Sequence, residues 1–290
     1  MAHTSTPSWH HLNGLGIALA LAVLLHSNPS SASVFSEDDR VTAGGDASDL
    51  EAVGVIRETP SGSYATAFLV APCYALSAKH IVHHPDPIGR NVTLRFKLWQ
   101  RSDGTNTTNA AVVAAGGRAQ AAGDLSQDWL LLRLDRCLGD HLGYFRLSRE
   151  ALQIRGAGPI TPKLIAVGYP ADRLPALGPT IDPACRVRLI TSYGLLHDCA
   201  TLPGNSGGPL MAWNAQHRRY EVVAINVAGH DRRVPEAFDL DSANAAVSVE
   251  PIVAILDRRA GGSIDSVWRP SEVDPAGDPA IARGTPGADR

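Results

Sequence analysis

The feature that most constrains this chain is a succession of short apolar segments separated by turn residues. Each segment is four to seven residues long, contains Val, Ile, Leu or aromatic residues, and is bounded by Gly, Pro, Asp or Asn. The segments cover residues 52–57, 66–70, 74–77, 92–98, 129–134, 164–167, 187–191, 209–212, 222–227 and 245–249. Only residues 251–259 have apolar residues at helical spacing, with a proline at the start. The pattern predicts an all-β sandwich or pair of barrels followed by one C-terminal helix.

The two ends of the chain differ from this central part. Residues 12–25 form an uncharged apolar run followed by small and polar residues, which is typical of a secretory signal peptide cleaved near Ala32 or Ser33. An uncleaved anchor is the alternative, but the run is shorter than the roughly 20 residues that span a bilayer. Residues 261–290 are rich in Gly, Pro, Asp and Ala and have no apolar period. We predict a signal peptide over 1–33, one folded unit over 34–260 and a disordered tail over 261–290.

Composition restricts the partners of the chain. It has 26 Lys and Arg against 29 Asp and Glu, and a formal net charge of −3. This balance argues against nucleic-acid binding, because no excess of positive charge is available for phosphates. No second segment is apolar for long enough to cross a membrane. We expect a secreted or periplasmic monomer without stable membrane insertion after signal cleavage.

The four cysteines, Cys73, Cys137, Cys185 and Cys199, are an even set that suits disulfide bonds in an oxidising compartment. Three pairings are possible. Cys185 and Cys199 flank a predicted hairpin, where a bridge would brace the chain and contribute roughly 3 kcal/mol in the entropic model. Cys73 would then pair with Cys137. The sequence favours this pairing over the other two.

The sequence gives no indication of a metal site or a cofactor. No Cys-x-x-Cys pair exists, and His80, His83 and His84 precede two prolines in a predicted loop. Such a loop does not place two ligands on one helix face, as many zinc sites do. We predict neither a metal nor a cofactor.

Three segments combine the residue types that nucleophilic catalysis needs. The run GNSGGPL at 204–210 places Ser206 in a glycine-rich turn, where backbone N–H groups can point at one site. His80 follows the apolar segment 74–77, and Asp128 precedes the apolar segment 129–134. A buried carboxylate there needs a hydrogen-bonding role. A serine hydroxyl needs a base within reach, and the base needs a partner that sets its tautomer. The order of the three residues is that of a chymotrypsin-type triad.

On these residues the chain resembles the trypsin-like serine proteases, and within them the bacterial glutamyl-endopeptidase branch. The strongest part of the likeness is GNSGGPL, and SAKHIV at 77–82 has the lysine that this branch carries before its histidine. Further similar segments are DDR at 38–40, GYPAD at 168–172 and VAINVAG at 223–229. The likeness extends from about residue 38 to residue 256. It implies two packed six-stranded antiparallel β-barrels with the triad in the cleft between them.

The resemblance implies a role for each matching residue. Ser206 would be the nucleophile that forms an acyl-enzyme, His80 the general base and then acid, and Asp128 the carboxylate that orients His80. The backbone N–H groups of Gly204 and Ser206 would form the oxyanion hole. Asn205 stands where animal trypsins have an aspartate that pairs with a newly cut N-terminus. Because an amide cannot form that ion pair, we hypothesise that the pocket is not assembled by such a cleavage.

The resemblance also places a substrate pocket at Thr201, Asn226 and Val227. Ala200 matches the position of the trypsin pocket aspartate, so a preference for Lys or Arg is not expected. Thr201 matches a residue that helps to bind glutamate in the branch. Asn226 replaces the pocket histidine of the branch, and a neutral amide is a weaker partner for a carboxylate. The residue preference at the cleaved bond therefore stays open.

Two other functions fit parts of the pattern. GNSGG also matches the G-x-S-x-G turn of α/β-hydrolases, which would make the protein a serine esterase, but that fold requires alternating strands and helices. The other alternative is a catalytically silent binding protein on the protease scaffold. The sequence favours a secreted serine endopeptidase that acts on protein or peptide substrates.

Overall fold

Short β-strands account for most of the chain that the structure, a computed structural model, describes. The described residues are 33–35, 38–43, 50–59, 61–100, 104–117, 124–148, 163–173, 175–192, 194–229, 232–234 and 238–260. Of the predicted signal peptide only Ser33 is among them, and the predicted tail lies outside them, so both stay predictions. Within these residues no helix combines the length and the hydropathy that a bilayer crossing requires.

The first barrel is a closed antiparallel sheet of six strands. Two short strands precede it, β1 (Ser33–Phe35) and β2 (Val41–Thr42). The barrel strands are β3 (Val53–Glu58), β4 (Tyr64–Ala71), β5 (Tyr74–Ser77), β6 (Asn91–Phe96), β7 (Thr107–Ala115) and β8 (Leu130–Leu134). Around the barrel the order is β3, β4, β5, β8, β7 and β6, and β6 pairs with β3 to close it.

Large apolar side chains fill this barrel. Phe68, Leu76 and Leu131 are completely buried, and the ring of Phe68 contacts that of Phe145 edge-on at 6.2 Å between centroids. Seven of the eight residues of β4 are buried, because one face of the strand lines the core and Thr66 on the strand contacts the second half of the chain. Burial on both faces explains why this strand has an almost continuous apolar sequence.

The second barrel also has six antiparallel strands. After a short helix, α1 (Gly139–Leu142), come β9 (Lys163–Gly168), β10 (Thr180–Thr191), β11 (Gly194–His197), β12 (Pro209–Asn214), β13 (Arg219–Ala228), β14 (Arg232–Val234) and β15 (Asn244–Ser248). The order is β11, β15, β13, β12, β9 and β10, and pairing of β10 with β11 closes the barrel. Strand β2 extends the sheet beside β10, and β14 pairs with β1. The C-terminal helix α2 (Glu250–Ala260) ends the described chain.

The two disulfides have the pairing that the sequence favoured. Cys73 is bonded to Cys137, which joins the start of β5 to the chain just after β8, and Cys185 is bonded to Cys199. The second bond spans the β10–β11 hairpin, whose pairing confirms the hairpin predicted from the sequence.

The two barrels and the C-terminal helix confirm the predicted fold class. Strand β7 was not predicted, because its sequence TTNAAVVAA is rich in alanine, which has a low strand propensity. The first half of β10 was not predicted either. It contains Pro183, which cannot donate to the ladder, and the register shifts there between Asp182 and Cys185.

Candidate active site

His80 and Asp128 meet because their strands are paired. Strands β5 and β8 are antiparallel with Ser77 opposite Leu130, so the residues just after β5 lie beside those just before β8. His80 is in a short 3₁₀ turn that follows β5. The Asp128 carboxylate accepts from the His80 backbone N–H at 2.9 Å and contacts the ring Nδ1 at 2.7 Å. Two contacts fix both the turn and the ring.

These contacts determine the tautomer of the His80 ring. An ionised carboxylate can only accept, so we assign the hydrogen to Nδ1. The other ring nitrogen, Nε2, then has a free lone pair. It is buried and has no hydrogen-bond partner among the described residues. The ring can therefore accept a proton at Nε2.

Ser206 lies in a tight loop, residues 203–208, that we call the serine loop. Two of its glycines have backbone conformations that other residues rarely adopt: φ is +97° at Gly204 and +81° at Gly207. A Cβ at Gly204 would lie 2.4 Å from the Tyr169 carbonyl oxygen, and one at Gly207 would lie 2.2 Å from the Thr66 carbonyl oxygen. Both positions require glycine on grounds of backbone conformation and space.

The backbone amides of the serine loop divide into two groups. Asn205 N–H donates to Leu202, Gly207 N–H to Asn226 at 2.7 Å, and Gly208 N–H to Asn205. The N–H groups of Gly204 and Ser206 donate to no acceptor within the described part of the chain. These two amides are the pair assigned to the oxyanion hole from the sequence.

The serine loop contacts the first barrel next to His80. Ser206 accepts through its carbonyl from Thr66 N–H at 2.9 Å, and the Ser77 hydroxyl donates to the Thr66 carbonyl at 2.8 Å. Gly207 lies against Ser77 and Ala78, since a Cβ there would be 2.4 Å from Ser77 Oγ and 2.9 Å from Ala78 N. The loop of the serine thus packs on the segment that leads into the histidine.

A small cavity of about 10 Å³ lies behind the serine loop, with the room that one buried water needs. Of the predicted pocket residues, Thr201 and Asn226 line it, whereas Val227 is buried in the hydrophobic core. The wall is polar. Its buried oxygens without a partner among the described residues are Thr180 Oγ1, Thr201 Oγ1, Asn205 Oδ1 and Asn226 Oδ1.

Two titratable groups near this cavity have strongly shifted pKa values. Burial lowers the pKa of His197 to about 4, although Ala245, Asp198 and Asn226 favour its charged form. The Cys199 N–H contacts His197 Nδ1 at 3.2 Å, so the neutral ring has its hydrogen on Nε2. Burial also raises the pKa of Asp182, which lines the cavity, to about 6, against hydrogen bonds from two backbone amides that lower it.

Several of these polar residues have no signal in the sequence. Thr66 reads as part of an apolar strand, yet its hydroxyl donates to Gly204 and accepts from Tyr169 N–H. His197 and Asp182 lie on strands, and no spacing signal marks them. Arg40 stands out in the sequence only as part of the segment DDR. A cation in a segment of otherwise polar residues does not by itself indicate that it is buried.

Lys79, beside His80, has a structural role. Its ammonium donates to the carbonyls of Gly116 at 2.8 Å and Gly117 at 2.6 Å. These contacts join the turn of His80 to the hairpin of Asp128. For metals, the described residues include no group of three or more His, Cys, Asp or Glu placed to bind one ion.

The two closed barrels, with the site where the serine loop contacts the first barrel, define a chymotrypsin-like fold. No family model and no curated protein matches the sequence. The structure is similar to a solved structure of a Glu endopeptidase in complex with MPD, with a TM-score of 0.58 and 17% identity over 78% of this chain and 98% of that chain. It also matches a thermostable serine protease, AL20, from an extremophilic microorganism, with a TM-score of 0.47 and 18% identity over 69% and 92% of the two chains.

Proposed function

We propose that this protein is a serine endopeptidase in which Ser206 is the nucleophile, His80 the general base and Asp128 the orienting carboxylate. The observation that carries the proposal is the state of His80. Its Nδ1 is bonded to Asp128 while its Nε2 is buried and without a partner among the described residues. A ring in this state is prepared to take a proton from a hydroxyl on its Nε2 side.

Each step of peptide hydrolysis then has a group to perform it. The Ser206 hydroxyl attacks the substrate carbonyl and its proton passes to His80 Nε2. The N–H groups of Gly204 and Ser206 donate to the oxygen that becomes negative, and each such donor is typically worth roughly 10²–10³ in rate. His80 then protonates the leaving amine as the C–N bond breaks. Water, activated by the same ring, hydrolyses the acyl-enzyme.

Asp128 supports this chemistry through geometry and charge. Its side chain is 16% exposed, and both oxygens are engaged with His80. The carboxylate holds the hydrogen on Nδ1 and stabilises the ring when Nε2 becomes protonated. Proton transfer into Asp128 is not needed.

The test combines labelling with product analysis. The full chain is treated with a fluorophosphonate, and the modified residue is located by mass spectrometry. The same protein is incubated with a denatured protein mixture whose products are sequenced. We expect modification of Ser206 and new peptide termini, and neither with Ser206→Ala, which should stay folded. Unmodified Ser206 without hydrolysis would support the silent scaffold. Cleavage of activated esters without peptide cleavage would support the esterase.

We further propose a substrate pocket at Thr201 and Asn226. Thr201 has a buried oxygen without a described partner, and both residues line the small cavity behind the serine loop. No carboxylate stands at Ala200, so Lys and Arg are not expected before the cleaved bond. A peptide series varied at that position measures the preference. A secreted or periplasmic monomer remains our proposal for location and assembly, and the two disulfides are consistent with an oxidising compartment.

A further inference from the structure

A buried ion-pair cluster lies under the serine loop. Its centre is Arg40, whose side chain is 1% exposed. The guanidinium donates from Nε and Nη2 to the two oxygens of Asp38 at 2.7 and 2.8 Å. It also donates from Nη2 and Nη1 to the two oxygens of Asp172 at 2.8 and 3.3 Å. Arg173 contacts Asp38 from the surface at 3.2 Å, so two cations face two carboxylates.

The backbone of Arg40 is fixed to the second barrel. The next residues form β2, in which Val41 lies opposite Ile181 and Thr42 opposite Thr180 of β10. Ala43 N–H donates to Pro179 at 2.8 Å. These backbone contacts fix the position of Arg40. Its hydrogen bonds to Asp38 hold the pKa of the Asp38 carboxyl at about 2.

The other carboxylate, Asp172, belongs to a segment that supports the serine loop. Ala171 N–H donates to the Pro203 carbonyl at 2.7 Å. The Tyr169 carbonyl is so close to Gly204 that no side chain fits there. Segment 168–172 is thus in contact with the loop that supplies both proposed oxyanion donors.

Arg40 also lies near this loop on the side of the cavity. Arg40 and Asn205 both line it, and Asn205 Oδ1 is buried without a described partner. Gly168 lies against the same side chain, since a Cβ there would be 2.7 Å from Asn205 Oδ1. Segment 168–172, which carries Asp172, therefore contacts the serine loop at both Gly204 and Asn205.

We propose that Arg40, through Asp172, is a positioning residue that keeps the serine loop in the conformation in which the Gly204 and Ser206 N–H groups point at the oxyanion. The ion pairs described for this cluster join side chains of the folded unit. None of these contacts uses a newly cut α-amino group. The inference rests on the proposed function, because its readout is the rate of that reaction.

The test compares four variants of the full chain, and one control variant, with the native protein. Arg40→Gln removes the cation, Arg40→Lys keeps the charge without the planar donor set, and Asp172→Asn removes the negative charge that segment 168–172 presents to Arg40. The double variant Arg40→Gln/Asp172→Asn removes both charges of this ion pair together, so neither is left without the other. The control is Arg188→Gln, which breaks an Arg–Asp pair with Asp198 on the β10–β11 hairpin. Folding is followed by near-UV circular dichroism.

The rate constant kcat is measured per active site titrated with fluorophosphonate, together with KM and the inhibition constant of a peptide boronate. We expect Arg40→Gln to lower kcat and boronate affinity by similar factors of about 10–100, less than loss of a whole oxyanion donor, with little change in KM. Asp172→Asn should have a similar effect, the double variant should be no worse than either, and Arg40→Lys should recover part of the rate. The control should retain the native kcat.

Other results overturn the inference. If the folded fraction of Arg40→Gln has native kcat and boronate affinity, the cluster only stabilises the fold. If the double variant recovers native rates, the single variants suffered from unpaired charge and not from a displaced loop. A native protein that neither labels at Ser206 nor hydrolyses peptides contradicts the proposed function instead. The two failures are therefore distinguishable.

Discussion

The two barrels differ in how many of their buried polar side-chain atoms lack a hydrogen-bond partner. Seven buried side-chain nitrogen or oxygen atoms lack a partner among the described residues, and only His80 Nε2 belongs to the first barrel. The other six lie on the second barrel or its loops. Among the described residues of the first barrel, His80 Nε2 is therefore the one buried side-chain nitrogen or oxygen without a hydrogen-bond partner. The second contains a polar interior around the serine loop, where substrate selection and pH dependence are expected to arise.

The largest effect is expected from the first barrel, at Asp128. Asp128→Asn keeps the shape of the side chain but can donate to His80 Nδ1, which then holds the wrong tautomer. We expect kcat to fall by about 10³–10⁴-fold with the stability nearly unchanged. The matched control is Asp124→Asn, a buried carboxylate four residues earlier that bonds Ser126. A fall of less than 10-fold in Asp128→Asn, or an equal fall in the control, contradicts the assigned tautomer.

This part of the site is the part that the sequence predicts best. His80 and Asp128 each stand next to an apolar strand, and pairing of two such strands is enough to bring them together. The fold class follows from the same alternation of strands and turns. The polar groups of the second barrel are different, because Thr180, His197 and Asn226 lie within strands and point inward. Nothing in a strand pattern shows which hydroxyl or ring ends beside a cavity.

The contact between the barrels gives the next effect. Gly207→Ala forces a Cβ towards the Thr66 carbonyl at 2.2 Å, in a backbone conformation with φ of +81°. Gly62→Ala has a similar φ of +73° but nothing within 4 Å. We expect a loss of unfolding free energy above about 4 kcal/mol for the first and about 1 kcal/mol for the second. Denaturant titration measures both, and equal losses would show that the serine loop does not pack tightly on the first barrel.

A smaller effect is expected from the second barrel, where two buried groups make the free energy of unfolding depend on pH. The pKa of His197 is about 4 in the folded protein and 6.5 ordinarily. Its contribution to the free energy of unfolding is therefore complete above pH 6.5 and is lost as the pH falls towards 4. The pKa of Asp182 is about 6 in the folded protein and 3.8 ordinarily. Its contribution to the free energy of unfolding is therefore complete below pH 3.8 and is lost as the pH rises towards 6. Each amounts to about 3 kcal/mol, and the two oppose each other between pH 4 and 6.

Single variants should separate these two contributions. We expect Asp182→Asn to lose up to about 3 kcal/mol of unfolding free energy between pH 6.5 and 4, and His197→Gln to gain a similar amount between pH 6 and 4. Denaturant titrations at several pH values give the slopes. Parallel curves for the two variants would mean that the titrating groups of the second barrel lie elsewhere.

The smallest effect is expected at Lys79, which tests whether the neighbour of His80 takes part in the chemistry. Lys79→Met removes two hydrogen bonds to the carbonyls of Gly116 and Gly117 but keeps most of the stem. Because the ammonium is partly solvated, the loss of unfolding free energy should be about 1 kcal/mol. The pH dependence of kcat/KM should be unchanged, since Lys79 contacts the hairpin that carries Asp128 and not the imidazole. A shifted pH profile would instead show that Lys79 acts electrostatically on the proton transfer. The first barrel would then contribute Lys79 to the chemistry as well as His80 Nε2.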